Sequence, residues 1–397
     1  MSHNKGEKNT NKLIQISLIC LLIAVFITAI ISCPTYYRKL ENYKKIDINL
    51  KELNEKKEIK ETIKKVSVVT TGDALIHSGV YKDAYNGTSY DFSKQFELVA
   101  PIISKYDIAY YNQETVFGGE ELGYSNYPRF NTPNHLGIDM QEAGFNMVSL
   151  ATNHSLDKNE TGARNAVEFW NSQKNVLSSG MYLSEEDRLE DRIFEKNGIT
   201  YTLLSYTTST NGLPVPSGKD YLVNVYSEEK VKEDVLRYQD KVDIIFVAMH
   251  WGIEYTHTPN SEQVQIANYL ANLGVEVVIG CHPHVIQPIE KIDNTLVIYS
   301  LGNFISAQKG EKKLVGMLAA FDITKTTKNN SSEIVINNIE VDLTWTYYKG
   351  FRQFKVVPFS IMEDKYLNNN ETVYNKYKAI IEKSTVPVTI KGLKSGI

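Results

Sequence analysis

Residues 13–33 read LIQISLICLLIAVFITAIISC, 21 consecutive positions without a charge and polar only at Gln15, Ser17, Thr28 and Ser32. At a helical rise of 1.5 Å per residue this run is roughly 30 Å long, the thickness of a bilayer's hydrocarbon core. A helix buried in a globular core would be shorter and would show a polar face. The segment therefore reads as a membrane span, and it divides the chain into unequal parts. Residues 1–12 carry net +2, residues 34–65 net +4 and the remainder from Val66 net −10, a split concealed in the overall charge of −4 over 397 residues. Ordinary composition excludes a disordered or disulfide-dense chain, and the acidic body argues against a general nucleic-acid partner.

Three fates of the span compete. It is long for the apolar region of a cleaved signal peptide, and residues 29–33 fit a small-x-small cleavage site poorly. Ile30-Ile31-Ser32-Cys33 has the hydrophobic-x-small-Cys form of a lipobox, which would make the chain a lipoprotein anchored at Cys33. An uncleaved, single-pass signal anchor is the leading expectation. Lys and Arg flank both ends, so charge alone does not orient the span. The short leader and large body point to a cytoplasmic leader (1–12) and an extracellular body. Cys20 and Cys33 lie in or beside the span, so only Cys281 is left to the body and no disulfide can form within it. Residues 34–65 read as a stalk, and the run Lys51–Lys65, dense in Lys and Glu with sparse Leu50, Leu53, Ile59 and Ile63, predicts a solvated helical spacer.

From Val66 to the C-terminus (66–397) the pattern is that of one α/β domain. Strands are predicted at Val66–Thr71, Ile108–Asn112, Asn146–Ala151, Ile199–Tyr206, Val242–Met249 and Val275–Gly280. Helices are predicted at Phe92–Ser104, Gly137–Ala143, Glu160–Lys174, Ser227–Tyr238 and Ser261–Leu273. Leu296–Ser300, Leu314–Phe321 and Ile334–Leu343 follow with little helix between them and read as adjacent, partly antiparallel strands. Thr324–Glu333 (TKTTKNNSSE) reads as a polar turn or exposed loop. Alternation followed by strands in succession argues for a mixed sheet or two packed sheets.

The chain has eight histidines, and five stand immediately after predicted strands: His77, His154, His250, His282 and His284. Asp73 and the run Asn112-Gln113-Glu114 have the same placement. In open α/β sheets ligands collect at the carboxyl ends of strands. Carboxylate, amide and imidazole donors without a thiolate suit Mn, Fe, Zn or Mg, as one ion or two. A pair of such ions serves phosphoester hydrolysis, with a nearby His as proton donor to the leaving group. Taken singly, a strand-end His is commonly a hydrogen-bonding loop residue, Asp73 could cap a helix and Asn153 could close a turn. Cys281 is most simply a small buried apolar residue.

The motifs TTGDALIH (70–77), YNQETVFGG (111–119), ATNHSLD (151–157), AMHWGIEY (248–255), GCHPHVIQPIE (280–290) and YSLGNFIS (299–306) occur in the order seen in the CapA/PgsA (PGA-cap) family, the capsule-synthesis proteins associated with bacterial poly-γ-glutamate. The resemblance covers about residues 66–307. It implies a divergent calcineurin-like metallophosphatase fold, a two-sheet sandwich flanked by helices. By that resemblance Asp73 and Glu114 are metal-ligand carboxylates, Asn153, His250, His282 and His284 further ligands, and His154 the proton donor or phosphate partner. His77, Asn112, Glu254 and Asn303 are additional candidates. The usual Asp-x-His opening is absent here, since Ala74-Leu75 follow Asp73, and the second carboxylate comes as Asn-x-Glu.

The expected role is a membrane-anchored extracellular component of capsule or poly-γ-glutamate synthesis or export, working with membrane-bound capsule-synthesis subunits on an anionic polymer. A cell-surface metal-dependent phosphoesterase acting on an envelope or nucleotide substrate is the alternative. A non-catalytic scaffold with a vestigial site is the second alternative.

Overall fold

A computed structural model describes residues 6–55, 61–329 and 331–393. They fall into two compact units, residues 1–62 with 327–331 and residues 63–326 with 332–397. In the first unit a single helix, Gly6–Glu55, takes in the whole apolar run, with Pro34 inside it. Proline has no N–H, so the helical bond to the carbonyl four residues earlier is missing there. Large apolar side chains along the helix are bare, Phe26 at 70% and Leu13 at 67% exposure. Stalk residues 56–60 and leader residues 1–5 lie outside the described residues.

Among the described residues fifteen strands form two sheets. β1 (Glu61–Leu75), β2 (Ile108–Asn112), β3 (Met147–Ser149) and β4 (Leu177–Ser179) open the first. The middle of the chain makes the second: β5 (Phe194–Lys196), β6 (Ile199–Thr207), β7 (Ile244–His250), β8 (Val277–Cys281), β9 (Ile289–Ile292) and β10 (Thr295–Ile298). The chain then returns to the first sheet with β11 (Asn303–Ser306), β12 (Val315–Lys328), β13 (Ser331–Lys349), β14 (Arg352–Pro358) and β15 (Thr389–Ile390). The first sheet has the order β14-β13-β12-β1-β2-β3-β4, with β11 beside β1 and β15 beside β13; the second has the order β5-β6-β7-β8-β10-β9.

Burial explains why the central strands are mostly apolar. On β2, Ile108 and Tyr110 face the core between the sheets, while Ala109 and Tyr111 face a second core under the helices His135–Glu142 and Asn159–Asn171. On β8, Val277 and Ile279 point into the inter-sheet core, and Val278 points at the helices Glu228–Tyr238 and Ser261–Asn272. Successive side chains alternate faces and both faces are covered, so most positions are apolar and a buried polar one such as Thr70 is hydrogen-bonded, here to the Ala319 carbonyl. The result is the expected helix-flanked two-sheet α/β sandwich.

Four expectations are corrected. β1 starts at Glu61, five residues before Val66, because its exposed polar end continues the strand beyond the core. The helix expected over Phe92–Ser104 is two short ones, Ser93–Phe96 and Ala100–Ile103, divided where Pro101 cannot donate a helical bond. Thr324–Glu333 is mostly strand, the ends of β12 and β13, since its β-branched threonines suit a pleated hairpin. Leu296–Ser300 supplies β10, which joins the second sheet and does not neighbour β12 or β13. The strand β14 and the helix Asn370–Ile381 are additions.

β13 and β14 pair Lys349 with Arg352, leaving a two-residue loop, Gly350-Phe351, with φ of +59° and +58°. Positive φ at both central residues is the type I′ hairpin geometry, unusual for a bulky side chain. The Phe351 ring stacks on Tyr348 at 5.1 Å and remains 38% exposed.

Candidate metal centre

The carboxyl ends of β1, β2, β3, β7 and β8 converge, and the first residues of β11 join them. Asp73, Asn112, Glu114, Asn153, His250, His284 and Asn303 are each no more than 3% exposed. Asp73 Oδ1 accepts from Asn112 Nδ2 at 2.8 Å. Its Oδ2 accepts from the His282 backbone N–H at 3.3 Å and faces His284 Nδ1 at 3.2 Å. His284 Nδ1 also lies 3.0 Å from Asn303 Oδ1, while Asn303 Nδ2 donates to Gln308 Oε1 and to the Lys313 carbonyl. With its amide N–H groups spent, Asn303 can only accept from the ring, which puts the His284 proton on Nδ1 and frees Nε2.

A second chain of bonds reaches His250. Tyr110 and Ser149 hydroxyls lie 2.6 Å apart, Ser149 donates to Asn112 Oδ1 at 2.6 Å, and Asn112 Nδ2 sits 3.3 Å from His250 Nδ1. His250 Nε2 is 3.0 Å from Asn153 Oδ1 and 3.2 Å from His282 Nδ1. His282 and His284 have φ of +98° and +56°, a conformation seldom adopted by residues with a Cβ. Strain of this kind is held only where the surroundings over-determine it.

Glu114 is the exception in this network. Both of its carboxylate oxygens are buried without a hydrogen-bond partner. Oε1 lies 3.8 Å from His250 Nε2 and 3.7 Å from His284 Nε2. Donor atoms of Glu114, His282 and His284 lie within 4.8 Å of one another. The residues therefore fit a divalent cation: oxygen and imidazole donors, a lone carboxylate with nothing to satisfy it, and a ligand histidine whose other nitrogen is already fixed.

The remaining candidates stand around this core. His154 Nδ1 is 2.7 Å from Asp157 Oδ2, which also accepts from the Phe130 backbone N–H at 2.6 Å. The Phe130 ring packs edge-on against both His154 and His77. His77 Nδ1 faces the Leu75 carbonyl at 3.1 Å, so it forms a side wall of the cluster. Glu254, 44% exposed, comes within 3.9 Å of His284 Nε2. His135 and His257 are bound elsewhere, to Ser89 and to the Ile286 carbonyl. Cys281 is buried between the sheets, and burial pushes its thiol well above the usual range, which leaves it unreactive. Asp157, Ser149 and Tyr110 were not singled out from the sequence. Asp157, three residues beyond His154 in ATNHSLD, carried a readable signal.

Burial also sorts the titrations. It drives Glu114 well above the carboxylate range, with the nearby charges of Asp73 and Glu254 adding and His284 opposing. Burial likewise lowers His250 well below its ordinary value, helped by His282 and His284, and brings His282 and His77 to about 4. On His284 burial is outweighed by Glu114 and Asp73, and its value rises to about 9. Metal-free stability is therefore expected to fall on both sides of neutrality. Below pH 6.5 the unfolded chain protonates His77 and His282 while the folded one resists down to about 4. His284 contributes fully below 6.5 and loses its contribution as pH rises through about 9. Guanidinium unfolding in chelator from pH 4 to 9.5 measures this, and a flat profile contradicts it.

Residues 67–308 match the family described as bacterial capsule synthesis protein PGA_cap. The chain is 26% identical over 264 residues to the PGA biosynthesis protein CapA of Bacillus subtilis strain 168, a match covering 62% of this chain and 64% of that one. With the capsule biosynthesis protein CapA of Bacillus anthracis it shares 25% over 261 residues, covering 62% and 60%. It thus spans a little under two thirds of the length of these curated relatives. Among solved structures, the calcineurin-like phosphoesterase YfkN of Bacillus subtilis aligns with a TM-score of 0.41 at 14% identity, covering 80% of this chain and 97% of that one.

Proposed function

The chain belongs to the PGA_cap family of bacterial capsule synthesis proteins, and from that premise we propose that it is a membrane-anchored, extracellular component of capsule or poly-γ-glutamate synthesis or export with a divalent metal at its strand-end cluster. The observation that carries the metal is Glu114, a buried carboxylate with both oxygens unpartnered. A carboxylate buried without hydrogen bonds is costly, and a cation among Glu114, His282 and His284 would reduce that cost. Those three residues would hold the ion, with His250 and Asn153 beside them. Asp73 and Asn303 orient His284. Mn, Fe, Zn or Mg would supply a Lewis acid for a carboxylate or phosphate oxygen.

The helix Gly6–Glu55 supports anchoring: it contains a stretch long and apolar enough to cross a membrane. Membrane-bound synthesis subunits and an anionic polymer are the partners this reading requires; nucleic acid is not among them. Deleting the chain should abolish glutamate incorporation into surface polymer, and wild type should restore it. His282→Ala combined with His284→Ala should not. Normal polymer in the deletion strain rules out the capsule role, and full restoration by the double variant rules out the metal.

A surface phosphoesterase is the second reading, favoured by the His154–Asp157 pair. Asp157 holds Nδ1, so Nε2 is left to carry a proton in a cleft of about 380 Å³ that Arg129, Asn153 and Glu254 also line. Hydrolysis of phosphomonoester and phosphodiester probes with Mn, lost in His154→Ala, would select this reading; no hydrolysis removes it.

A further inference from the structure

A second cavity, of about 460 Å³, opens beside the cluster and is lined in part by His77, Ser78, Lys82, Asn126, Phe351 and Arg352. His77 is common to both places, since His284 and His154 are among its electrostatic neighbours. The groove is basic in a body of net −10. Lys82 and Arg352 are exposed on its wall. Lys309 Nζ lies 5.5 Å from the Phe351 ring centroid. Toward the cluster, Lys312 and Lys313 lie 5.6 and 4.6 Å from the Tyr255 ring, and Tyr255 is 6.0 Å from the His284 ring.

The nearby carboxylates of Asp83 and Glu311 bond to groups other than these cations. Asp83 accepts from the Gln353 and Phe354 backbone N–H groups, both at 2.8 Å. Glu311 is taken by Lys376 and Tyr377. Among the described residues none of Lys82, Lys309, Lys313 and Arg352 is in an ion pair.

We propose that this groove is the binding track of an acidic, carboxylate-bearing chain, seated on Phe351, held by Lys82, Lys309 and Arg352, and led past Lys313 to the His284 cluster. The inference rests on the capsule reading above and names where its polymer would lie. Three features suit that ligand. The exposed Phe351 ring, presented by the Gly350-Phe351 turn, offers an apolar seat for methylene segments. Arg352 Nη1 is fixed on the Lys82 carbonyl at 2.7 Å, so the guanidinium is held in place with its other N–H groups free for a carboxylate. Asn126 spends its Oδ1 on the Ser78 N–H, leaving its amide N–H groups to meet a chain carbonyl. The lysines are separate point charges, each able to meet one carboxylate of a chain.

The test is fluorescence polarisation of a labelled γ-linked oligoglutamate with the full-length protein in detergent. Combining Lys82→Gln, Lys309→Gln and Arg352→Gln should weaken binding at least about tenfold and flatten its salt dependence. Phe351→Ser should weaken binding without changing the salt dependence. Thermal unfolding and metal content should stay at wild-type values, showing that fold and cluster are intact. Unchanged affinity in the triple variant overturns the proposal. So does equal binding of neutral oligoglutamine, or stronger displacement by polyphosphate than by oligoglutamate. Binding as expected, with normal polymer in the deletion strain, would sink the capsule reading and leave the groove. Polymer that needs the chain, with normal binding by the triple variant, would do the reverse.

Discussion

Glu114→Gln is expected to stabilise the metal-free protein and to abolish its response to metal. The wild-type side chain sits buried with neither oxygen bonded, near the equally buried Asp73. Leaving a buried polar group unsatisfied costs about 1–3 kcal/mol, more when it is charged. Glutamine keeps the shape, cannot ionise and sets its amide oxygen toward the imidazole nitrogens 3.7 and 3.8 Å from the native carboxylate. A gain of about 1–3 kcal/mol in chelator is the expected result. Wild type should instead gain about 2.7 kcal/mol from metal at a hundred times its Kd, and the variant nothing. Chemical unfolding with and without Mn measures both. A metal response preserved in the variant would move the site away from Glu114. Lost stability in chelator would mean that the carboxylate is already compensated.

Gly72→Ala should cost at least about 4 kcal/mol, enough to keep the protein from accumulating. A Cβ built at Gly72 lies 1.7 Å from the Gly302 carbonyl oxygen and 2.8 Å from its carbon. That neighbour is backbone, fixed by the Asp73 N–H bond to the same oxygen at 3.0 Å and by the parallel pairing of β1 with β11. Relief requires separating the two strands, and Asp73 and Asn303 move with them. Gly274→Ala is the control. Its φ is +85° but nothing lies within 4 Å, so only the backbone preference is lost, about 1–2 kcal/mol. Equal losses in the two variants, measured by thermal unfolding, would refute the argument from space.

These two glycines show what the sequence could and could not convey. TTGD and SLGN were readable as strand ends, and of the five histidines placed after strands the fold brings His250, His282 and His284 together. That Gly72 and Gly302 touch depends on β11 lying beside β1, which no local pattern encodes. The helix Asn370–Ile381 was not read from the sequence, although Val373, Tyr377 and Ile381 fall on one face at helical spacing. The division of strands between two sheets was not legible, because β10 and β12 have similar apolar runs and pair with partners far apart in the chain. Within the site, residue types foretold a polar cleft. Only the fold shows that Asp73 is engaged by Asn112, His282 and His284 while Glu114 is left bare.

The return of the chain to its first sheet has a consequence for how the protein is made. β1 can pair with β2 early in synthesis, but its other edge is filled by β12 and β11, roughly 200 residues later. At ribosomal rates of about 5–20 residues per second, that edge stays open for roughly 10 to 40 s. An unpaired strand edge is a template for the wrong partner. A nascent chain stalled or truncated before residue 303 thus carries an exposed β1 edge. Losing the C-terminal quarter would make such a product prone to associate with itself, as well as shorter.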